Sequence, residues 1–203
     1  MIVVVAALKG GVGKTTTSVY LAAIAAASNR RNVYLVDADP QASSADWLET
    51  SPDERLGKVT IVEAPTDRLL VKALDRVGGE DVAVVDTPPG HERLLAKALD
   101  RAAAAVVPTR VGGVETPRVT AVLDMMPAGV PAGLVISSAR TFTRDYQDAV
   151  ATWAEEHVPV WGTVPERVSI AAGPTGLLSE DGLEAYRGTW RRAVRAVARR
   201  ASK

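Results

Sequence analysis

The chain contains no cysteine. That excludes disulfides, thiolate zinc sites and iron–sulfur clusters together, and a cytoplasmic setting fits it. The apolar start does not read as a signal peptide: no basic residue stands before it, and it stops at Lys9. The apolar run from Tyr20 to Ser28 is too short to cross a bilayer. Net charge is absent, with 24 Lys and Arg against 24 Asp and Glu, so no overall field draws the protein to nucleic acid or membrane. The balance is uneven, however. From Arg187 to Lys203 there are seven basic residues and no acid, so the rest of the chain holds the compensating negative excess. No repeat, low-complexity segment or long linker divides the 203 residues, and a single domain over 1–203 is expected.

What is present is a regular alternation. Short, nearly continuous apolar runs at 2–7, 32–36, 59–62, 82–85, 104–107 and 133–137 read as parallel strands buried on both faces. Helical patterns lie between them at 15–27, 67–77, 92–101, 117–126 and 143–156. A closing helix is expected over 180–200, with a break near Gly188. This is the pattern of an α/β fold, a mostly parallel twisted sheet with helices on both faces.

The first strand runs into LKGGVGKTTT, and strand, glycine-rich loop, GKT and helix is the context of a phosphate-binding P-loop. Gly10, Gly11, Val12 and Gly13 would turn backbone N–H groups toward phosphate oxygens, at a helix N-terminus whose dipole favours anions. Lys14 would reach the β- and γ-phosphates, Thr15 would bind Mg²⁺, and Thr16 completes the loop. Leu8 stands where the usual pattern has glycine, and Lys9 is an additional cation. Two acidic motifs follow apolar runs: VYLVDADPQ, with Asp37 and Asp39, and DVAVVDTPPG, with Asp86. The second has the form of a Walker B strand, whose Asp86 would hold Mg²⁺. Asp37 and Asp39 are not expected to share one role. His91 reads as a surface residue at a helix start.

KGGVGKTT resembles the deviant Walker A loop of the ParA/MinD family, whose smallest members are plasmid-type partition ATPases. The resemblance implies a P-loop NTPase fold, ATP and Mg²⁺ as cofactors, and a homodimer in the ATP state. It implies that Lys9 crosses to the partner's nucleotide while Lys14 serves its own. It also places Asp37 near the magnesium shell with Thr15 and Asp86, and gives Asp39 the attacking water, so that Lys9, Lys14 and Asp39 form the catalytic set. Residues 87–90 correspond to switch II, and Pro165 and Arg167 to the loop beside adenine. The family's usual Asn is not evident in GLVISSAR. ATP is expected over GTP because no NKxD motif is present. With the P-loop at the start of the sequence, the additional DNA-binding domain of larger relatives is not expected.

By the same resemblance, the function expected is that of a ParA-like ATPase for plasmid or chromosome partition. It would bind duplex DNA nonspecifically, associate with the nucleoid when ATP-bound, and release on stimulation by a centromere-binding ParB-like partner. Arg191, Arg195 and Arg199, at helical spacing, are the DNA-contacting candidates, and a solvated helix face is the alternative. Arg110, Arg118, Arg140 and Arg144 are further options. Two other readings stay open. A MinD-like membrane-positioning ATPase is disfavoured by a stripe of Trp190, Val194, Val197 and alanines, a poor membrane anchor. A dethiobiotin synthetase-like enzyme is disfavoured by the DPQ motif. Relatives that carry an iron–sulfur cluster are excluded by the missing cysteines.

Overall fold

A computed structural model describes residues 1–28, 32–112, 116–171, 173 and 176–202. Its strands are β1 (Ile2–Val5), β2 (Val33–Asp37), β3 (Val59–Glu63), β4 (Val82–Asp86), β5 (Ala104–Thr109), β6 (Ala132–Ala139) and β7 (Val160–Pro165). They form one sheet in the order β3-β2-β4-β1-β5-β6-β7, and every neighbouring pair is parallel. The expected α/β fold is therefore the observed one, a parallel sheet whose strands alternate with helices along the chain. β7 is not among the strands read by pattern, because VPVWGTVP is too interrupted by proline and glycine.

Helices cover both faces. On one side α1 (Lys14–Ser28), α2 (Ser43–Thr50) and α8 (Glu180–Ala201) close over a cluster that includes Val3, Val5, Leu35, Val84, Val106 and Val135. On the other, α3 (Asp67–Leu74), α4 (Glu92–Leu99), α5 (Thr116–Asp124) and α6 (Arg144–Glu155) shield Val4, Val36, Val85, Ala105 and Val107. Successive residues of one strand thus enter different cores, which is why each strand reads as an unbroken apolar run. A short α7 (Val168–Ala171) follows β7. Trp47 of α2 is core, 5% exposed.

The closing helix does not break at Gly188: α8 is continuous over 22 residues. One internal glycine costs a helix about 1 kcal/mol, which burial of Leu183, Tyr186, Trp190 and Ala193 offsets. The glycine that matters is Gly182. A Cβ there would come within 2.5 Å of the Tyr20 ring, so only glycine lets α8 approach α1 this closely.

The start of α8 is tied down by Asp53. Its carboxylate accepts hydrogen bonds from Arg55 Nε (2.8 Å) and Nη2 (2.7 Å), and from the backbone N–H groups of Arg55 (2.9 Å) and Leu178 (2.7 Å). Arg55 Nη1 also reaches Glu180 at 2.6 Å. The Arg55 side-chain bonds, helped by these backbone N–H groups, hold the Asp53 carboxyl down at about 2 even though burial opposes them. Against an unfolded value near 3.9, that stabilises the fold by about 2 kcal/mol above pH 4. The contribution is lost as pH falls toward 2, with about half gone by pH 3. Asp53→Asn should lower the melting temperature at pH 7 by about 4–8 °C, and the gap from wild type should narrow between pH 5 and pH 3. A gap independent of pH would show that the charge of Asp53 is not what holds the start of α8.

Candidate functional site

β1 lies in the middle of the sheet, and the chain leaves it to one side for β2 and, later, crosses to the other for β5. The carboxyl ends of β1, β4 and β5 therefore surround the crevice where open α/β sheets bind ligands. The loop over residues 6–13 fills it. Gly11 and Gly13 have φ of 75° and 91°, a left-handed backbone that turns N–H groups inward and excludes other residues at low cost. Ser137 Oγ, 2.7 Å from the Val12 carbonyl oxygen and 3.0 Å from that of Thr109, shares its proton between them and fastens the loop to the ends of β5 and β6. On the opposite flank, the Gly90 N–H donates to the Leu8 carbonyl at 3.0 Å, joining the loop after β4 to the P-loop.

Lys14 opens α1, nearly buried, and its Nζ donates to the Lys9 carbonyl oxygen at 2.8 Å. Burial pushes its pKa down, while the nearby charges of Asp86 and Asp39 act in the other direction. The ammonium is thus fixed between loop backbone and carboxylates. Asp86 ends β4, 1% exposed. Burial raises its carboxyl to about 7. The Thr15 hydroxyl hydrogen bond counters this, the Asp37 charge adds to it, and the Ser18 hydrogen bond and Lys14 charge counter it again. Ser18 Oγ lies 3.2 Å from Asp86 Oδ1, whereas buried Oδ2 has no hydrogen-bond partner among the described residues. An open carboxylate oxygen beside a threonine hydroxyl is a hard donor set suited to Mg²⁺. Among the described residues no group of three or more His, Cys, Asp or Glu could hold a metal. A cation here would take its remaining ligands from phosphate and water, as Mg²⁺ does.

Asp37 and Asp39 take different places although residues two apart on an extended segment share a face: β2 ends at Asp37, and the turn that follows, closed by the Ala42 N–H on the Asp39 carbonyl, parts them. Asp37 is buried, paired in register with Asp86 across β2 and β4. Its Oδ1 accepts from the Asp39 N–H (3.0 Å) and its Oδ2 from the N–H groups of Ser44 (2.9 Å) and Ala45 (3.0 Å). Both oxygens are therefore occupied with anchoring the N-terminus of α2, whose own cap position, Ala42, offers no side chain to do it. Asp39 instead faces the cleft, with Oδ1 accepting from the Gln41 N–H at 2.9 Å.

The cleft has a volume of about 630 Å³, within the usual range for a small-molecule site. Gly10, Gly11, Gly13, Lys14, Thr15 and Thr16 form one end, and Pro165 and Arg167 line the far side. Val12 sits beneath the loop, buried, and Lys9 is not among the residues lining the cleft. Arg110, Ser138 and Tyr186 also line it, and no local motif announced them. Tyr186 comes from α8, stacked on Tyr20 with ring centroids 5.1 Å apart and its hydroxyl 3.1 Å from Thr17 Oγ1. Complete burial raises its pKa beyond any physiological pH, so the phenol stays neutral.

The basic helix face divides. Arg192, Arg195, Arg199 and Arg200 line a groove of about 750 Å³ beside the amino ends of β6 and β7, opposite the phosphate loop. Arg191 sits on another flank, in a hollow shared with Arg187 and Trp190. The 191/195/199 spacing grouped residues that the fold separates, and omitted Arg192, whose guanidinium donates to the Trp161 carbonyl. Of the apolar stripe, Trp190 is buried and Val197 packs on the core, while Val194 is 38% exposed. Among the other arginines, Arg140 pairs with Glu166 and Arg144 lies 3.7 Å from Asp148. Lys203, counted in the basic tail, lies outside the described residues.

Residues 3–177 match the family described as the CobQ/CobB/MinD/ParA nucleotide binding domain. Among curated proteins, a Maintenance of carboxysome distribution protein A from Gloeobacter kilaueensis is 45% identical over 117 residues, 58% of this chain; the match spans about half (48%) of that relative. The Chromosome-partitioning ATPase Soj of Thermus thermophilus is 28% identical over 207 residues, covering 82% of each chain. Among solved structures, the septum site-determining protein MinD of Pyrococcus horikoshii, complexed with Mg-ADP, superposes with a TM-score of 0.75 at 19% identity, covering 98% of both chains.

Proposed function

The chain belongs to the CobQ/CobB/MinD/ParA nucleotide-binding family, and within it we propose that this protein is a Mg²⁺-dependent ATPase of the partition type. In its ATP state it pairs into a two-fold dimer and binds duplex DNA without sequence preference. A ParB-like or equivalent adaptor then stimulates hydrolysis and release. The observation that carries this reading is the convergence of the P-loop, Lys14, Thr15, Asp39 and, below them, Asp86 on one cleft. Bound Mg²⁺ would neutralise charge on the β- and γ-phosphates. The chain's own part is to hold the phosphates on loop N–H groups, keep the Lys14 ammonium against them, and present the Asp39 carboxylate where a water attacks. Asp37 acts one step removed, by fixing α2 and with it the backbone that carries Asp39.

The likeness to a carboxysome-distribution protein widens the cargo from a replicon to a protein compartment. Membrane positioning has less support. Among the described residues no helix is long and apolar enough to span a membrane, and the apolar face of α8 is largely spent on the core.

Asp39→Ala, mixed with random-sequence duplex, tests the reading. Salt-sensitive binding is expected in Mg-ATP and not in Mg-ADP. Replacing Arg195 and Arg199 by Ala should weaken binding for all sequences alike and lower the salt slope by about one for each phosphate no longer neutralised. Absence of binding in both nucleotide states would end the DNA reading. Unaltered turnover in Asp39→Ala would remove that residue from the reaction.

A further inference from the structure

We propose that the groove between α3 and α4 docks an acidic, amphipathic segment of a partner protein. Two basic ladders face each other there. α3 and the turn after it carry Arg68, Lys72 and Arg76, and α4 and its following turn carry Arg93, Lys97 and Arg101, each at i, i+4, i+8. Ion pairs join the ladders at both ends: Arg93 Nε lies 2.6 Å from Asp67 Oδ2, and Arg101 Nε 2.8 Å from Asp75 Oδ1. Between these staples, Arg68, Lys72, Arg76 and Lys97 have no acidic partner among the described residues. In a chain whose formal charge is zero, four uncompensated cations are thereby held around one groove of about 680 Å³.

Shape and chemistry select the occupant. Asp67 to Asp75 spans about 12 Å of helix, or two turns, so the seat suits a short segment. The cations stand on the crests of two adjacent helices, and partly buried Val71 lies between them on the groove wall. An apolar row flanked by carboxylates satisfies both features, as amphipathic helices do in grooves. A nucleic-acid backbone offers charge but nothing for Val71. The position has a consequence for the nucleotide site as well. The Asp67–Arg93 staple lies in the first turns of both helices, and α4 begins directly after the loop that leaves Asp86 and bonds the Leu8 carbonyl through Gly90.

The test needs no nucleotide and so stands apart from the ATPase reading. A fluorescein-labelled peptide of about twelve Glu, Leu and Ala residues, arranged as a leucine row flanked by glutamates, is titrated with the full chain and followed by anisotropy. Saturable binding that weakens with salt is expected. Lys72→Glu with Lys97→Glu should weaken it at least tenfold, and a lysine-for-glutamate peptide should then prefer that variant to wild type. Lys72 is exposed and Lys97 half-buried at the groove, and circular dichroism checks that the variant is folded. Arg195→Glu with Arg199→Glu should leave peptide binding unchanged. The proposal is overturned if charge reversal at 72 and 97 has no effect, or if reversal at 195 and 199 weakens binding equally. It is overturned too if a peptide without leucine binds as well, or if duplex DNA displaces the peptide from this groove.

Discussion

Lys14→Ala is expected to lose nucleotide binding, with affinity for Mg-ATP falling at least a hundredfold in calorimetry. The ammonium is nearly buried, bonded to the Lys9 carbonyl and flanked by Asp86 and Asp39. Charge-assisted hydrogen bonds contribute about 1.5–3 kcal/mol each, and Lys14 is placed to make such bonds to two phosphates. Its removal also leaves those carboxylates facing the phosphates uncompensated, so attraction becomes repulsion. The empty protein should not suffer in parallel. Burial lowers the pKa of Lys14, so its charge is a net cost to the folded state, and stability attributable to this group rises with pH. The variant should therefore melt no lower than wild type without nucleotide, while losing the stabilisation ATP confers. Wild-type affinity in the variant would refute the P-loop assignment, whereas a lower melting temperature without nucleotide would assign Lys14 a structural role instead.

How far the sequence alone reached can be judged from where local pattern ended. Strands buried on both faces announce themselves, so six of the strands and the phosphate loop were legible. The loop between Val5 and Lys14 was legible because its glycines are required by backbone angles, a constraint that is local in sequence. α2 was not foreseen. SSADWLET is short, and its N-terminus is capped by a side chain from outside, Asp37, seven and eight residues before the N–H groups it accepts. The same contact shows what Asp37 holds, which the spacing of the two acids could not: residues two apart on a strand share a face, and these part only because β2 ends at Asp37. Ser137 and Tyr186 reach the site across 125 and 169 residues respectively, through the Val12 carbonyl and Thr17. Nothing near them in sequence marks that arrival. The arginines of α8 show the converse case. Helical spacing placed Arg191 with Arg195 and Arg199, but which face a groove takes depends on the strands beneath. There β6 and β7 bring in Arg192 and Arg200 and leave Arg191 out.

Lys9→Ala separates binding from turnover. Within its own subunit the Lys9 backbone carbonyl accepts from Lys14 Nζ at 2.8 Å, and alanine retains that carbonyl. The Lys9 side chain does not line the cleft, so the variant should bind Mg-ATP within about threefold of wild type, a difference below 1 kcal/mol. A second cation brought to the phosphates from a paired subunit would stabilise charge developing in the transition state, and losing one such group costs about a hundredfold or more in rate. Turnover should fall by that order, and sedimentation in Mg-ATP should show a monomer where wild type or Asp39→Ala is expected to show a dimer. If Lys9→Ala hydrolyses ATP at the wild-type rate as a monomer, the second lysine serves only its own loop, and pairing is not part of the reaction. If it fails to bind ATP at all, the side chain supports the cradle in cis. Only retained binding, lost pairing and lost turnover together fit a lysine whose ammonium acts on the neighbouring subunit while its carbonyl organises its own.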